Sequence, residues 1–543
     1  MAAKRGVHDV ESEAPESGSS RDQAGIFRRI PFHPLLFSVY PILALLAANT
    51  GEVLPVDGLR VLLGSLLLGS ILVLVSWLVL RRRDSASMLA SLAVLLILSY
   101  GRIYDGLKDV GVSGTTIVRH RFLLPAVALL LLVAYFALRR LKPTSTTPYL
   151  NIVAISACAL PTAVLLVGGA QRFASSQNRS GETGCGLSPQ SGHALPDVYL
   201  IIMDGYERDD ILREMHKYDN SGFLAGLEAD GFYVARGSMS NYRHTELSFS
   251  SLLNMEYIQS FPGVYSNGRY NQWEIIQRIK DNRVRRELEC IGYKTVAVET
   301  ETFWTEWDDA DYFLRRRAGA LGEIELLGGA SRTEAEFLQT TLARGYLDAV
   351  KSTSAGAAQL LDPASESRDL ILYQFEELAH IPRLPSPKLV FIHVLSPHPP
   401  FLFGPRGEPV SVGEFDTGRA NGPTEAVQLK AYADQVAFLN TQLLKAVKAI
   451  LAASEPEPII IIQGDHGWAD RDHEDKLSIL NAYHFPGYGR SVLYPTITPV
   501  NSFRLLFDTY FGGNLGRLDD TSFFSSEVDE YNFVEVENSW AGG

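Results

Sequence analysis

Five long apolar segments fall within the first third of this 543-residue chain and constrain its fold more than any other feature. The second and fourth are apolar on all sides and long enough to cross a bilayer as α-helices, whereas the first and third are shorter. A cleavable signal peptide fits poorly, because further apolar segments follow and a long polar stretch precedes the first one. The pattern predicts an N-terminal helical membrane domain of about five spans. The segments occupy roughly residues 31–49, 58–80, 85–101, 121–138 and 149–169.

Basic residues flank these segments unevenly, and the asymmetry predicts how the chain crosses the membrane. Three basic clusters share one side if the chain crosses five times: Arg28 and Arg29, Arg81 to Arg83, and Arg139 to Lys142. Such clusters typically face the cytoplasm, which places the large C-terminal part outside. The loop 102–120 also carries basic residues and would lie outside. Four or six spans, with a cytoplasmic C-terminal part, are the alternative.

The chain divides into parts of opposite charge, which the overall net charge of −13 conceals. We expect a disordered polar tail over 1–26, a membrane domain over 27–172, a linker over 173–195 and a soluble domain over 196–543. Residues 1–172 hold 17 Lys and Arg against 10 Asp and Glu, so the remainder holds 32 against 52. A C-terminal part this acidic is not expected to bind nucleic acid.

The chain has three cysteines, and Cys158 lies within an apolar segment. Cys185 and Cys290 remain in the soluble part, where they would form a disulfide if that part faces an oxidising compartment. From the sequence, Cys185 and Cys290 are compatible both with a disulfide and with two free thiols. No spacing typical of a cysteine–histidine zinc site occurs.

Beyond the linker, continuous apolar strands alternate with amphipathic helices. We expect strands over 197–203, 293–299, 388–395 and 459–463, and a helix over roughly 428–452 whose apolar residues recur at spacings of three and four. Strands that are apolar on both faces indicate an α/β domain with a mostly parallel sheet covered by helices.

Polar side chains follow the ends of all four predicted strands. Asp204 follows the first strand, Glu299 ends the second, His398 follows the third, and Asp465 and His466 follow the fourth. One such residue alone is more typical of a turn or a helix cap. Four strands that end this way indicate a ligand site at the carboxyl ends of the sheet, where open α/β sheets bind their ligands.

Carboxylates and imidazoles in this pattern suit one divalent metal ion, Mn²⁺, Mg²⁺ or Zn²⁺. Thr245 offers a nucleophile, because the sequence SNYRHTELSFSSLLNMEY predicts a helix that begins there. Free backbone amides at a helix N-terminus favour an anion such as phosphate, and a metal would activate the hydroxyl. Thr245 as a simple helix cap is the alternative.

Five sequence motifs, in this order, resemble the alkaline phosphatase superfamily in its sulfatase-like branch. The resemblance covers about residues 195–515, and the five-span region ahead of an outward-facing domain is similar to lipoteichoic acid synthases and lipid A phosphoethanolamine transferases. The motifs are IIMDGY, NYRHTELSFSSLLN, FIHVLSPHPPF, IIIIQGDHGW and NAYHFPG…TITPVNSFRLLF.

The resemblance implies roles for the matching residues. Asp204, Thr245, Asp465 and His466 match the metal-binding set, with Thr245 as both ligand and nucleophile. After Asn501 no second metal-binding set is evident, so the resemblance implies one metal ion.

Two further residues match positions that contact the substrate. His398, in PHPPF, matches a histidine that contacts the phosphoryl group or assists the leaving group. Trp304, in the segment YKTVAVETETFWTEWDDADYF, is the candidate for holding the head group. His393 has no clear counterpart and is expected to serve packing or to support the metal ligands.

The sequence departs from true sulfatases at the nucleophile. Those enzymes carry Cys or Ser in C/S-x-P-x-R, which matures to formylglycine, whereas this chain reads His244-Thr245-Glu246. Threonine cannot mature in this way, so hydrolysis of sulfate esters is disfavoured.

The sequence therefore predicts a multi-pass cell-membrane enzyme with an extracytoplasmic active site. It would move a phosphoglycerol- or phosphoethanolamine-type head group from a phospholipid to a glycan, lipid or polymer, through a Thr245-linked intermediate. A phosphodiesterase or sulfatase-like hydrolase of the same fold is the alternative. A non-catalytic membrane protein fits less well, because the ligand set is intact. A transporter also fits less well, because the predicted spans of this chain contain no charged residues that could form a substrate path.

Overall fold

The computed structural model divides the chain into two compact units. The N-terminal unit contains the described residues up to Leu166 together with 337–346, and the C-terminal unit contains the rest. The predicted tail over 1–26 lies outside the described residues, as do 178–184 and 190–193 of the predicted linker. The structure describes residues 30–49, 58–108, 120–141, 146–177, 185–189, 194–262, 264–266, 269–316, 337–353, 363–410, 424–468, 472–526 and 529–540.

The N-terminal unit contains five apolar helices, as the sequence predicts. Four of them are long and apolar enough to cross a membrane, whereas the first has only 16 residues. Their apolar side chains remain exposed along the spans, as at Leu63, Leu129 and Leu160, which is expected of helices that face lipid. The helices are α1 (His33–Ala48), α2 (Leu59–Leu80), α3 (Arg83–Lys108), α4 (His120–Arg140) and α5 (Thr147–Gln177).

Polar side chains connect these helices to one another. The Thr147 hydroxyl donates to Asp84 Oδ1 at 2.7 Å, which joins α5 to the start of α3. His33 Nδ1 lies 2.6 Å from Ser91 Oγ, which joins α1 to α3. Hydrogen bonds of this kind hold helices together where the lipid provides no hydrophobic driving force.

A seven-stranded sheet forms the centre of the C-terminal unit, in the order β2-β9-β8-β1-β7-β5-β6. Strands β8, β1, β7, β5 and β6 are parallel, and β9 and β2 add antiparallel strands at one edge. The sheet strands are β1 (Val198–Met203), β2 (Tyr233–Val234), β5 (Lys294–Val298), β6 (Tyr312–Leu314), β7 (Lys388–Val394), β8 (Ile459–Gly464) and β9 (Asn481–His484). Two small hairpins are formed by β3 (Tyr265–Ser266) with β4 (Arg269–Tyr270), and by β10 (Ser522–Phe524) with β11 (Val534–Val536).

Helices cover both faces of this sheet. Alternate residues of β1 enter two separate apolar layers, because successive side chains of a strand point to opposite faces. The first layer is closed by α7, α12 and α13, and the second by α8, α10 and α15. The helices are α6 (Asp209–Glu214), α7 (Ser221–Ala229), α8 (Thr245–Asn254), α9 (Gln272–Lys280), α10 (Arg283–Cys290), α11 (Ala343–Thr353), α12 (Pro363–His380), α13 (Glu425–Ala453), α14 (His473–Leu477) and α15 (Pro499–Tyr510).

The four predicted strands and the predicted long helix are confirmed. Helix α13 also meets the length and hydropathy criteria for a membrane span, but its apolar side packs into the first layer. Strands β2, β6 and β9 were not predicted, because they are two to four residues long and carry no long apolar run. Their position in the sheet depends on pairing with distant strands, which local sequence does not encode.

The structure joins Cys185 to Cys290 in a disulfide, the pairing that the sequence left open. The two Cα atoms lie 5.9 Å apart, within the usual range for such a bond. Neighbouring contacts fasten the same segment: Gly186 N donates to Glu287 Oε2, and Ser188 N donates to the Phe511 carbonyl, each at 2.7 Å. The bond closes a loop of 105 residues around much of the domain.

We expect loss of this disulfide to destabilise the C-terminal unit. Replacing both Cys185 and Cys290 by Ala should lower the free energy of unfolding by about 4 kcal/mol, because the unfolded chain regains loop entropy. Thermal unfolding of the full chain in detergent measures the effect, with Cys158→Ala as the matched control. Three titratable thiols in the unreduced protein would contradict the pairing.

Candidate active site

Two central strands place a pair of aspartates side by side. Strands β1 and β8 are parallel neighbours, and Met203 pairs with Gly464 at their carboxyl ends. The next residues, Asp204 and Asp465, therefore lie next to each other, followed in the second strand by His466. Ligand atoms of Asp204, Asp465 and His466 all lie within 4.8 Å of one another.

Backbone amides fix one oxygen of Asp465 and leave the other directed at this group. Asp465 Oδ1 accepts hydrogen bonds from Gly205 N at 2.9 Å and from its neighbour His466 N at 3.0 Å. Gly205 adopts a φ of +69°, a conformation that glycine reaches without strain. Asp465 Oδ2 is buried and has no hydrogen-bond partner among the described residues.

Asp204, like Asp465, has one buried carboxylate oxygen to which no described residue donates a hydrogen bond. Its Oδ1 is buried without a hydrogen-bond partner in the described part of the chain, and the residue is only 5% exposed. Burial by itself would raise the pKa of Asp204, but His398, His393 and His466 outweigh burial and hold this pKa well below its ordinary value. Asp204 is therefore a carboxylate at neutral pH.

His466 directs its second ring nitrogen towards both carboxylates. Its Nδ1 donates to the Gly467 carbonyl at 2.9 Å, so Nε2 carries the lone pair of the neutral ring. This Nε2 lies 3.7 Å from Asp204 Oδ1 and 3.5 Å from Asp465 Oδ2. Burial lowers the pKa of His466 more than the two aspartates raise it, so the ring is neutral near pH 7.

Thr245 joins the same group from the start of helix α8. His244 adopts an extended conformation and is the N-cap, so Thr245 is the first helical residue rather than the cap. The Thr245 Oγ1 lies 3.0 Å from His466 Nε2. The simple capping role weighed from sequence therefore does not account for this hydroxyl. Its side chain is half-buried, so a substrate can reach it.

These groups fit a divalent cation. Two unpaired buried carboxylate oxygens, one imidazole lone pair and one hydroxyl converge, and oxygen and nitrogen donors of this kind bind Mn²⁺, Mg²⁺ or Zn²⁺. Two carboxylates beside a neutral imidazole carry a charge of −2, which such an ion would neutralise. Within the described ranges, Asp204, Asp465 and His466 are the single group of this kind.

His398 lies beside the group, whereas Trp304 is not among its members. His398 N donates to the Asp204 carbonyl at 2.9 Å, and its ring centroid lies 5.9 Å from that of His466. His398 Nδ1 donates to the Pro399 carbonyl at 2.8 Å, which leaves Nε2 available in a half-buried ring. Trp304 packs, partly buried, against the second apolar layer.

His393 contacts Asp204, one of the two positions that the sequence allowed for it. Its Nε2 lies 3.5 Å from Asp204 Oδ2, and its Nδ1 lies 3.0 Å from Thr305 Oγ1. Gln374 Nε2 donates to the His393 carbonyl at 3.0 Å. The sequence signal for this residue is that His393 lies within the otherwise apolar run of strand β7. Glu299, by contrast, turns its carboxylate to Arg316 N at 2.8 Å and does not join the group.

Glu207 was not singled out in the sequence, and it connects the loops that follow β1 and β8. Its Oε1 accepts a hydrogen bond from Trp468 N at 3.0 Å, and its Oε2 lies 2.6 Å from His216 Nε2. Both side chains of this ion pair are fully buried. The pair therefore holds the loop of Asp204 against the loop of His466.

Comparisons with known proteins give distant structural neighbours. No protein-family model and no curated protein sequence matches the chain. The chain is similar to the C-terminal periplasmic domain of EcEptC from Escherichia coli in complex with zinc, with a TM-score of 0.39 and 12% identity, over 64% of this chain and 95% of that one. It is similar to lipooligosaccharide phosphoethanolamine transferase A from Neisseria meningitidis, with a TM-score of 0.40 and 10% identity, over 92% and 97% of the two chains.

A third neighbour is the lipoteichoic acid synthase LtaP from Listeria monocytogenes, with a TM-score of 0.30 and 14% identity, over 56% of this chain and 70% of that one. The neighbours thus include both kinds of enzyme that the sequence motifs resemble. At these TM-scores the likeness is distant, so the chemistry follows from the residues of the site itself.

We expect Asp465→Asn to remove metal binding and leave the fold intact. The amide oxygen can still accept from Gly205 N and His466 N, whereas the charge and the second acceptor oxygen are lost. Affinity for Mn²⁺ or Zn²⁺ should fall by at least about 100-fold. Calorimetric titration of the purified protein with Mn²⁺ or Zn²⁺ measures this affinity, and circular dichroism checks the fold.

Asp472→Asn is the matched control, because Asp472 caps α14 through Asp475 N and is not part of the group. Wild-type affinity in Asp465→Asn would rule out this carboxylate as a ligand.

Proposed function

We propose that the chain is a membrane-anchored, metal-dependent phosphotransferase. It would move a phospho-head-group of the phosphoglycerol or phosphoethanolamine type from a phospholipid to an extracytoplasmic acceptor. The observation that carries this proposal is the Thr245 hydroxyl, 3.0 Å from His466 Nε2, which itself lies 3.7 Å from Asp204 Oδ1 and 3.5 Å from Asp465 Oδ2. The type of head group comes from the sequence resemblance.

Asp204, Thr245, Asp465 and His466 are the residues assigned to hold the metal. A bound divalent cation would lower the pKa of the Thr245 hydroxyl and offset negative charge on the phosphoryl oxygens. Thr245 lies at the N-terminal end of α8, where the partial positive charge of the helix favours the anionic phosphate. His393 and the Glu207–His216 pair hold the ligands in place.

In the first step, Thr245 Oγ1 forms a bond to phosphorus while the bond from phosphorus to the diacylglycerol oxygen breaks. The Thr245 proton passes to solvent, and the released diacylglycerol oxygen takes up a proton in its place. We assign this delivery to His398, whose Nε2 would take a proton from solvent and donate it to that oxygen, from a half-buried ring beside the site. The product of this step is a phosphodiester on Thr245.

In the second step, a hydroxyl of a glycan, lipid or polymer attacks the same phosphorus, and Thr245 leaves with a proton. If water attacks the phosphorus instead of an acceptor hydroxyl, the enzyme is a phosphodiesterase of the same fold. The two reactions share every residue assigned above and differ in whether an acceptor hydroxyl reaches the intermediate before water.

The membrane helices support a lipid donor, because they hold the enzyme at the surface where its substrate lies. The basic clusters at Arg28–Arg29, Arg81–Arg83 and Arg139–Lys142 favour a cytoplasmic N-terminus and an extracytoplasmic active site. The Cys185–Cys290 pairing supports the same side, since disulfides persist in oxidising compartments.

The covalent step predicts a mass adduct on Thr245. After incubation with Mn²⁺ and a mixed phospholipid extract, the intact mass of the wild type should rise by that of the transferred head group. Thr245→Ala should show no adduct and lose turnover by at least about 10³-fold. Thr245→Ser retains a hydroxyl at the same place and should still form the adduct.

Ser250→Ala provides a matched control, because Ser250 lies on the same helix and is fully buried. An adduct on Thr245→Ala would refute the nucleophile. An adduct that decays only to free head group, with every acceptor tested, would assign the chain as a hydrolase.

Trp304 is assigned to hold the head group. The contact of its neighbour Thr305 with His393 supports this assignment. Trp304→Ala should lower kcat/KM for the phospholipid by about tenfold, whereas Trp304→Phe keeps an aromatic face and should lose less. Steady-state assays over a range of lipid concentrations measure both, and an unchanged kcat/KM in Trp304→Ala would argue against the role.

A further inference from the structure

Residues 337–346 follow β6 in the chain but pack within the N-terminal unit. We call them the docked segment. Leu342 N donates a hydrogen bond to the Ile97 carbonyl of helix α3 at 2.7 Å. The Arg344 guanidinium pairs with Asp105 and lies 4.9 Å from the ring centroid of Tyr104. The segment is thus attached along the second half of α3.

Gly101 explains how the segment approaches α3 so closely. A Cβ atom at Gly101 would lie 2.0 Å from the Gln339 carbonyl oxygen and 2.8 Å from the backbone of Thr340. No side chain fits in that space, so glycine allows the two backbones to touch. The contact is specific to this position on the helix.

The positions of these contacts along α3 indicate how deeply the docked segment lies in the membrane. With a rise of about 1.5 Å per residue, Ile97 lies roughly 16 Å along α3 from its end at Lys108. Helix α3 is 26 residues long and contains an 18-residue stretch apolar enough to cross a membrane, and its next charged residue after Ile97 is Arg102. Ile97 therefore lies inside the span, and Leu342 lies at the level of the lipid leaflet in which α3 ends.

Several backbone groups of the docked segment form hydrogen bonds within the segment, as is needed where water is absent. The Thr340 hydroxyl donates to the Phe337 carbonyl at 2.7 Å, and the Thr341 hydroxyl donates to the Leu338 carbonyl at 2.8 Å. Thr341 N also donates to the Leu338 carbonyl at 3.1 Å.

Two apolar or aromatic side chains of the segment point away from the protein. Leu338 is 41% exposed and Tyr346 is 71% exposed, whereas Phe337 is 5% exposed. Gln339, the neighbour of Leu338, lies against Gly101 at the end of the apolar stretch of α3, and an exposed leucine at this level would face lipid. Tyrosine is enriched where acyl chains meet head groups, and Tyr346 lies near the end of α3 that carries Asp105.

We infer that the docked segment is embedded in the lipid leaflet in which α3 ends and α4 begins, with Leu338 and Tyr346 in contact with phospholipid. The occupant of this surface is the bilayer itself. The inference does not depend on the proposed chemistry, and it gives the chain a membrane contact beyond its five N-terminal helices.

Site-specific photo-crosslinking tests the contact. The full chain, with benzoylphenylalanine at position 338 or 346, is placed in phosphatidylethanolamine and phosphatidylglycerol vesicles, and lipid adducts are measured by mass spectrometry. Position 129, exposed in the middle of α4, is the positive control, and buried position 337 is the matched negative control. Adduct yields at 338 should be within about twofold of those at 129.

A yield at 338 no higher than at 337 would overturn the inference. Gly101→Leu separates docking from lipid contact, because its side chain displaces the 339–340 backbone. We expect this variant to lose the adduct at 338 by several-fold while position 129 is labelled as before. A full yield at 338 in Gly101→Leu would show that attachment to α3 is not what places the segment in lipid.

Discussion

The parallel pairing of β1 with β8 is the constraint on which the site depends. Because Met203 pairs with Gly464, the residues that follow must bring Asp204 and Asp465 together in a buried place. Two carboxylates at this distance repel each other, and burial removes the water that would weaken the repulsion. Hydrogen bonds from the Gly205 and His466 amides to Asp465 offset part of this repulsion, and a bound cation would offset the rest.

Much of this could be predicted from the sequence, because long apolar strands are a local signal. Four continuous apolar runs predicted the central strands, and a polar residue after each run indicated which edge of the sheet carries the site. Asp204, Asp465 and His466 were found in this way. Thr245 needed a second signal, a polar turn before a helix, and the resemblance to a known family supplied its role.

The rest could not be predicted, because it depends on contacts between residues far apart in the chain. His393 was expected to pack or to support the ligands, but its contact with Asp204 appears only when β7 lies beside β1. Glu207 and His216 were not singled out in the sequence, and only the fold brings their side chains together. The docked segment was assigned to the soluble domain by its place in the sequence, yet Leu342 hydrogen-bonds to Ile97, 245 residues earlier.

The two buried carboxylates of the site, which repel each other, lie at the ends of central strands of the sheet. Asp204 and Asp465 extend from β1 and β8, whose residues are buried throughout and paired with strands on both sides. Hydrogen bonds and apolar layers fix these backbones, so the carboxylates cannot move apart to relieve repulsion. A cation that binds between them meets ligands already in position, and little ordering free energy opposes its binding. The Thr245 hydroxyl at the start of α8 lies 3.0 Å from His466 Nε2, so the proposed nucleophile lies beside the cation that these residues would bind.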